Sequence, residues 1–214
     1  MHTALRNASN RIEPLKKSQI DDVVRIHAEC FSNFFLTSFG KPFLRVLYTA
    51  ILKEKDHIAH VALNNDQEVI GFIAGVSESK KIYKRLLISN FLSFFFTALP
   101  KSIVRPASIV RVITVLLNKK DSRCGGEQKQ ALLMSLAVSK SFSSKGIGQQ
   151  LVNRFKDDAR ENECFGIILS TDKIDNERAN HFYEKLGFSI IAQPLVGKRQ
   201  MNQYFLKVAD QVYQ

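Results

Sequence analysis

Hydrophobic positions follow two periods along this chain. Ile20, Val23, Val24, Ile26 and His27 recur at helical spacing, predicting a helix capped by Ser18 that runs to about Phe31. Ser32–Gly40 breaks the pattern as an apolar loop with Phe34, Phe35, Leu36 and Phe39. Pro42 opens a second helix carrying Phe43, Leu44, Leu47, Tyr48 and Ile51 on one side. Ile58–Leu63 and Val69–Val76 read as strands joined by an Asn64-Asn65-Asp66 turn, which makes a hairpin. Leu132–Val138 is a further strand, Gly148–Asn162 a helix and Phe165–Ser170 a short buried strand. Glu177–Leu186 is a helix stopped by Gly187, and Phe188–Ala192 pairs with Gln203–Val208 across a loop containing Pro194 and Gly197. Upstream, Arg11–Leu15 is a short first strand behind a loose tail, Met1–Asn10. This order predicts a single α/β (α+β) domain over residues 1–214. Its central sheet is mixed and mostly antiparallel, flanked by helices. The stretch at about 80–128 enters as a helical insertion between the third and fourth strands.

Composition supports one sizeable core: 214 residues, 45% hydrophobic, with 16 Phe and no Trp. Charge changes the picture more. The formal net charge is +11, and Lys80–Arg123 holds ten Lys/Arg against one acid, Asp121, so that segment carries +9. A uniformly basic chain would point to nucleic acid, but the excess is local and no groove-reading motif accompanies it, so no nucleic-acid partner is expected. A basic, apolar segment points instead to an anionic surface, membrane or acidic partner. Its halves, Leu86–Leu99 and Ile103–Leu117, are punctuated by Pro100 and Pro106. Each is shorter than the ~18–20 residues of a spanning helix. Three roles stay open: a lid over a substrate site, a contact between two copies in a homodimer, or peripheral binding of residues 80–123 to an anionic membrane at its inner face. Cys30, Cys124 and Cys164 form no CxxC or His/Cys pair, so neither a disulfide nor a metal site is expected, and a reducing cytoplasm fits. Met1–Arg11 is polar and does not read as a secretory signal.

The candidate chemistry begins where the strand Leu132–Val138 meets the helix after it. The connecting run is Ser139-Lys140-Ser141-Phe142-Ser143-Ser144-Lys145-Gly146-Ile147-Gly148. Two glycines one residue apart allow close backbone approach, and a helix start presents unpaired N–H groups and a positive dipole end. A pyrophosphate suits such a turn, with Lys145 adding a cation and Ser143 and Ser144 adding donors. The run is neither a Walker loop nor a Rossmann fingerprint, because the further Gly-Lys-Ser/Thr or third Gly is missing. Read alone, it is equally a tight turn before a packed helix.

Downstream lies Asn176-Glu177-Arg178-Ala179-Asn180-His181-Phe182-Tyr183-Glu184-Lys185-Leu186-Gly187-Phe188. This run strongly resembles the signature of the GNAT acetyltransferase family, in which an Asn precedes a helix ending in Phe-Tyr-x-x-Leu-Gly-Phe. Leu136–Leu151 resembles that family's cofactor motif, a strand followed by Gln/Arg-x-x-Gly-x-Gly/Ala. The resemblance covers Leu132–Phe188. It implies a GNAT fold and an enzyme, an acetyl-CoA-dependent N-acyltransferase. By the same resemblance, Leu136, Ala137 and Val138 match the splayed strand whose backbone pairs with the pantetheine arm. Ser144, Lys145, Gly146, Ile147, Gly148 and Gln149 match the pyrophosphate turn, Asn176 an asparagine that contacts the cofactor, and Tyr183 the acid that protonates the departing thiolate. The sequence departs from the pattern at Ser143, Ser144 and Lys140. Thr171 stands where one branch of the family has a glutamate base.

The implied reaction is attack of a neutral primary amine on a thioester. An N–H near Ala137 or Val138 would face the oxyanion, an interaction worth roughly 3 kcal/mol for a well-placed donor. Candidate bases are His27, Glu29, His60, Asp172 and His181. The expected acceptor is a small-molecule amine, with an amino-sugar intermediate of surface polysaccharide synthesis as the specific expectation. A protein N-terminus is the alternative acceptor. A non-catalytic acyl-CoA-binding or membrane-associated module is the rival class.

Overall fold

The computed structural model describes residues 10–32, 34–79, 82, 128–197 and 199–209, with the backbone alone for Phe35. In chain order they form β1 (Arg11–Pro14), α1 (Ile20–Cys30), α2 (Phe35–Ser38), α3 (Lys41–Lys53), β2 (His57–Leu63) and β3 (Val69–Val76). After the insertion come β4 (Gln130–Val138), α4 (Ile147–Glu161), β5 (Gly166–Asp172), α5 (Glu177–Lys185), β6 (Ser189–Ala192), β7 (Leu195–Val196) and β8 (Arg199–Lys207).

The sheet runs β1-β2-β3-β4-β5-β8-β6, with β7 paired to β8. Every pairing is antiparallel except β4 with β5. A parallel neighbour needs a crossover, and α4 supplies it. Helices cover both faces. On one, Val23, Ile26, Leu44, Tyr48 and Ile51 of α1 and α3 bury Phe72, Ala74 and Val76 of β3. On the other, Ile147, Leu151, Val152 and Phe155 of α4 join Tyr183 of α5 over Ile58, Ile73, Leu133 and Leu169. Burial on both sides explains why β3 is buried along its whole length and reads as an unbroken apolar run rather than an alternation.

The hairpin turn is held as its sequence suggests: Asn64 Oδ1 accepts the N–H groups of Asp66 and Glu68 at 3.0 and 2.9 Å. Three expectations change. Ser18 lies inside a short 3₁₀ turn, Lys17–Gln19, and Gln19 occupies the N-cap of α1. Gln19 is fixed there because its Oε1 accepts the Lys16 N–H at 2.9 Å. The loop 32–40 contains α2, a single turn wedged before α3. The last strand begins at Arg199 rather than Gln203. Its neighbours β5, β6 and β7 draw polar Arg199–Gln203 into ladders that an apolar pattern does not mark.

The insertion does fall between β3 and β4, and its base is closed by Ser79 N–H donating to Gln130 O at 3.0 Å. Ile82 is fully buried in the α1/α3 cluster. The helical character expected for 80–128, and its lid, dimer and membrane readings, otherwise lie outside the described residues. Among those described, no helix is long and apolar enough to cross a membrane.

Candidate active site

β4 and β5 pair only from Gln130 to Leu132 opposite Gly166 to Ile168. Beyond that β5 stays with β8 as far as Asp172, while β4 continues with β3 on one side alone. The two parallel strands therefore part, leaving a split beside Met134–Val138. The β3/β4 register shifts between Ala74 and Gly75, which makes Met134 the extra residue of a bulge. Met134 packs into the α1/α3 cluster.

The phase of the ladder decides which groups the split receives. Gly71 stands opposite Val138, and Ser139 N–H donates to Ile70 O at 2.8 Å. That combination makes Gly71/Val138 a non-hydrogen-bonded pair, so Val138 and Leu136 turn their N–H and C=O away from β3. Val138 O accepts the Cys30 thiol at 3.3 Å. Ala137 has the opposite phase. Its backbone groups are spent on Phe72 and its side chain is buried on the α1/α3 face. The expectation that Ala137 offers its backbone to the acyl carrier, or its N–H to an oxyanion, is corrected on this ground.

From Ser139 the chain makes a 3₁₀ turn over Lys140–Phe142 and then two left-handed residues, Ser144 at φ +64° and Gly146 at φ +77°. The second is the N-cap of α4. No side chain caps this end and no acid lies in its first turn, so N–H groups from Ile147 to Gln149 face outward with the helix dipole behind them. Lys145 Nζ lies 5.0 Å from the centre of the Phe142 ring. Arg178 Nη2, from the first turn of α5, donates to Ser144 Oγ at 3.3 Å. These uncapped donors and two cations at the end of a split strand fit the diphosphate and pantetheine arm of coenzyme A.

The two glycines have different duties. A Cβ on Gly146 would meet nothing within 4 Å, so that glycine is set by its dihedral and by open space. A Cβ on Gly148 would lie 3.3 Å from the Phe182 ring, so that glycine is set by the approach of α4 to α5.

Asn176 is the N-cap of α5, and its Nδ2 reaches Asp172 O at 3.5 Å. Asn180 makes the firmer tie, donating to Asp172 O at 3.1 Å and accepting from Thr171 Oγ1 at 2.6 Å. Thr171 thus anchors α5 at the position where a base was absent. Tyr183 is 7% exposed, in edge contact with Phe182 and Phe188, within the cluster on which Leu136 and Val138 pack. Burial raises its phenol pKa well above the ordinary value. Its hydroxyl stays protonated and makes no hydrogen bond among the described residues.

The candidate bases separate clearly. His60 contacts Asp158 across the α4 face, with Arg154 2.6 Å from the same carboxylate, and serves to tie α4 to β2. Asp172 is gripped by Arg199 at 2.8 and 2.5 Å. Glu29 is half-exposed beside Arg25 at 3.7 Å, and His181 is exposed. His27 alone is buried beside the split's wall, where its Nδ1 meets Tyr48 Oη at 2.6 Å. Burial raises the pKa of both Cys30 and Cys164, the latter to about 11, so both are thiols rather than nucleophiles at neutral pH. At the open end of the split Arg199 lies 5.6 Å from the Phe34 ring centre, so the segment after α1 touches the β7–β8 hairpin across the gap.

Residues 20–188 match the family described as the Acetyltransferase (GNAT) family, and the chain belongs to it. Over 110 residues, 51% of the chain, it is 31% identical to N-alpha-acetyltransferase 30 of Schizosaccharomyces pombe. Over 60 residues, 28% of the chain, it is 40% identical to streptothricin acetyltransferase A of Bacillus subtilis. The chain spans 66% of the length of the first relative and 34% of the second. The crystal structure of Arabidopsis thaliana NAA60 in complex with acetyl-CoA shares the fold at a TM-score of 0.58 and 16% identity, covering 93% of this chain and 98% of that one.

Sequence reasoning missed Phe34, Arg178 and Arg199 beside the split and its turn. Arg178 lies inside the quoted motif, but nothing local connects it to a turn 34 residues earlier.

Proposed function

We propose that this chain moves the acetyl group of acetyl-CoA to the primary amine of a small anionic molecule, with an amino-sugar intermediate as the specific candidate. The reading rests on one observation: the parting of β4 from β5 beside the outward backbone groups of Leu136 and Val138, in line with the uncapped start of α4. The pantetheine arm pairs with that strand edge, the N–H groups of Ile147–Gln149 hold the diphosphate, and Asn176 lies beside the cofactor. Tyr183 donates the proton taken by the departing thiolate, which a phenol held protonated by burial can do. The +9 charge of residues 80–123 favours an anionic acceptor and repels polyamines.

A second reading has its own support. The likeness to an N-alpha-acetyltransferase extends over half the chain and favours the α-amine of a peptide.

The test is thiol release from acetyl-CoA over a panel: a nucleotide-linked amino-sugar, streptothricin, a tetrapeptide with a free N-terminus, and spermidine. Turnover with the amino-sugar alone supports the first reading, and turnover with the peptide alone the second. Acetyl-CoA binding with no release on any amine points to a non-catalytic module.

A further inference from the structure

We propose that Arg199 binds a phosphate group carried by the acceptor and so sets the preference among amines. This role rests on the acetyl-transfer reading of the split.

Geometry carries the argument. β5 stays with β8 as far as the pair Asp172/Met201, while β4 leaves β5 after the pair Leu132/Ile168. Four residues further along the two strands stand Leu136 and Asp172, so these two flank the split from opposite sides. Asp172 is fixed in place. Its carbonyl accepts Asn180 Nδ2 at 3.1 Å, and the N–H of Lys173 after it donates to Gln200 O at 2.9 Å. The Asp172 carboxylate accepts Nε and Nη2 of Arg199 at 2.8 and 2.5 Å. A guanidinium carries five N–H donors in a planar fork. This grip spends one donor of Nε and one of Nη2. Nη1 makes no hydrogen bond or ion pair among the described residues. The Phe34 ring centre lies 5.6 Å from Arg199 Cζ and limits where the plane can turn. Phe34 is itself in edge contact with Phe31 at the end of α1, with ring centres 5.1 Å apart.

The approach side assigns this free edge to the acceptor. The turn proposed to hold the diphosphate opens α4, which packs with α5 on one face of the sheet. Phe31 packs into the α1/α3 cluster on the other face, and Phe34 follows it there. Arg199 therefore meets the split from the face opposite the cofactor's diphosphate. As a strut the Arg199–Asp172 pair adds little, because the arginine side chain is 46% exposed. Asp172 offsets much of the charge, so what Arg199 offers is directed donors more than net attraction. A fork of fixed N–H groups matches the paired oxygens of a phosphate, which a lysine ammonium cannot do.

The experiment measures kcat/KM for wild type, Arg199→Gln and Arg199→Lys with three acceptors: UDP-glucosamine, glucosamine 1-phosphate and glucosamine. Melting temperature and calorimetric affinity for acetyl-CoA are recorded for each protein. The wild type should prefer at least one phosphorylated form over glucosamine by about tenfold or more. Arg199→Gln should bring that ratio close to one, through KM rather than kcat. Arg199→Lys, which keeps the charge and loses the fork, should retain only part of the ratio, and it carries the test if the glutamine variant fails to fold. The phosphorylated form preferred tells a single phosphate from a nucleotide-bearing diphosphate. A ratio of one in the wild type, or a wild-type ratio in both variants, overturns the role of Arg199 alone. Transfer to none of the three sugars overturns the amino-sugar reading and this role with it. Acetyl-CoA binding without thiol release on any amine overturns the transfer reading itself.

Discussion

Arg178 reaches from the first turn of α5 to the hydroxyl of Ser144, 3.3 Å away, in the turn that opens α4. The contact joins the two motifs in space and places a guanidinium beside outward N–H groups. The family pattern expects Gln or Arg within the turn itself, where this chain has Ser143. Arg178 instead brings a cation to that turn from the neighbouring helix. Arg178→Ala should weaken acetyl-CoA binding by about five- to tenfold, the loss of one charge-assisted contact. The melting temperature should barely move, because the contact is exposed. Calorimetry with acetyl-CoA checks this, and unchanged affinity would remove Arg178 from the diphosphate site.

Gly146 and Gly148 should fail in different ways. Gly146→Ala keeps its surroundings but forces a non-glycine residue to φ +77°, costing about 1 kcal/mol of stability. Its methyl enters the open space assigned to the diphosphate, so acetyl-CoA affinity falls as well. Gly148→Ala presses on Phe182 instead, so stability falls while affinity is kept. Melting curves paired with calorimetry separate the two, and identical profiles would count against distinct roles.

Legibility tracked locality. β2 and β3 were readable because burial on both faces leaves them almost wholly apolar, and the Asn64 turn carries its own side-chain hydrogen bonds. The end of α5 was readable from Gly187, at positive φ, and the helix expected from Gly148 begins one residue earlier, at Ile147, behind Gly146. The beginning of β8 was not, because Asn202 and Gln203 are buried polar residues stabilised by neighbouring strands. At the site, the motif names Leu136, Ala137 and Val138 together. Only the register with β3 shows that Ala137 turns the other way.

Tyr183→Phe removes a hydroxyl that makes no hydrogen bond among the described residues and keeps the ring that packs on Phe182 and Phe188. Stability and the KM for acetyl-CoA should stay close to wild type, while kcat drops by about 10²-fold. Because burial raises its pKa, the Tyr183 phenol should still be protonated at pH 10 and should impose no alkaline fall in rate below that. Steady-state kinetics from pH 6 to pH 10 test both points. Equal turnover in the variant would return Tyr183 to a packing role.

His27 predicts a specific acid sensitivity. Burial holds its imidazole neutral in the folded protein down to about pH 4, against an ordinary value of 6.5. Between those limits the unfolded chain binds the extra proton, so acidification favours unfolding. The contribution is complete above pH 6.5 and is lost progressively toward pH 4. It amounts to about 3 kcal/mol at ~1.4 kcal/mol per pH unit. Denaturant midpoints for the wild type should therefore fall over that window. His27→Gln retains a polar group near Tyr48 but cannot titrate. It should start less stable at pH 7, because the Tyr48 contact is disturbed, and show a flatter slope between pH 6.5 and pH 4. A slope as steep as that of the wild type would mean that other groups carry the acid response.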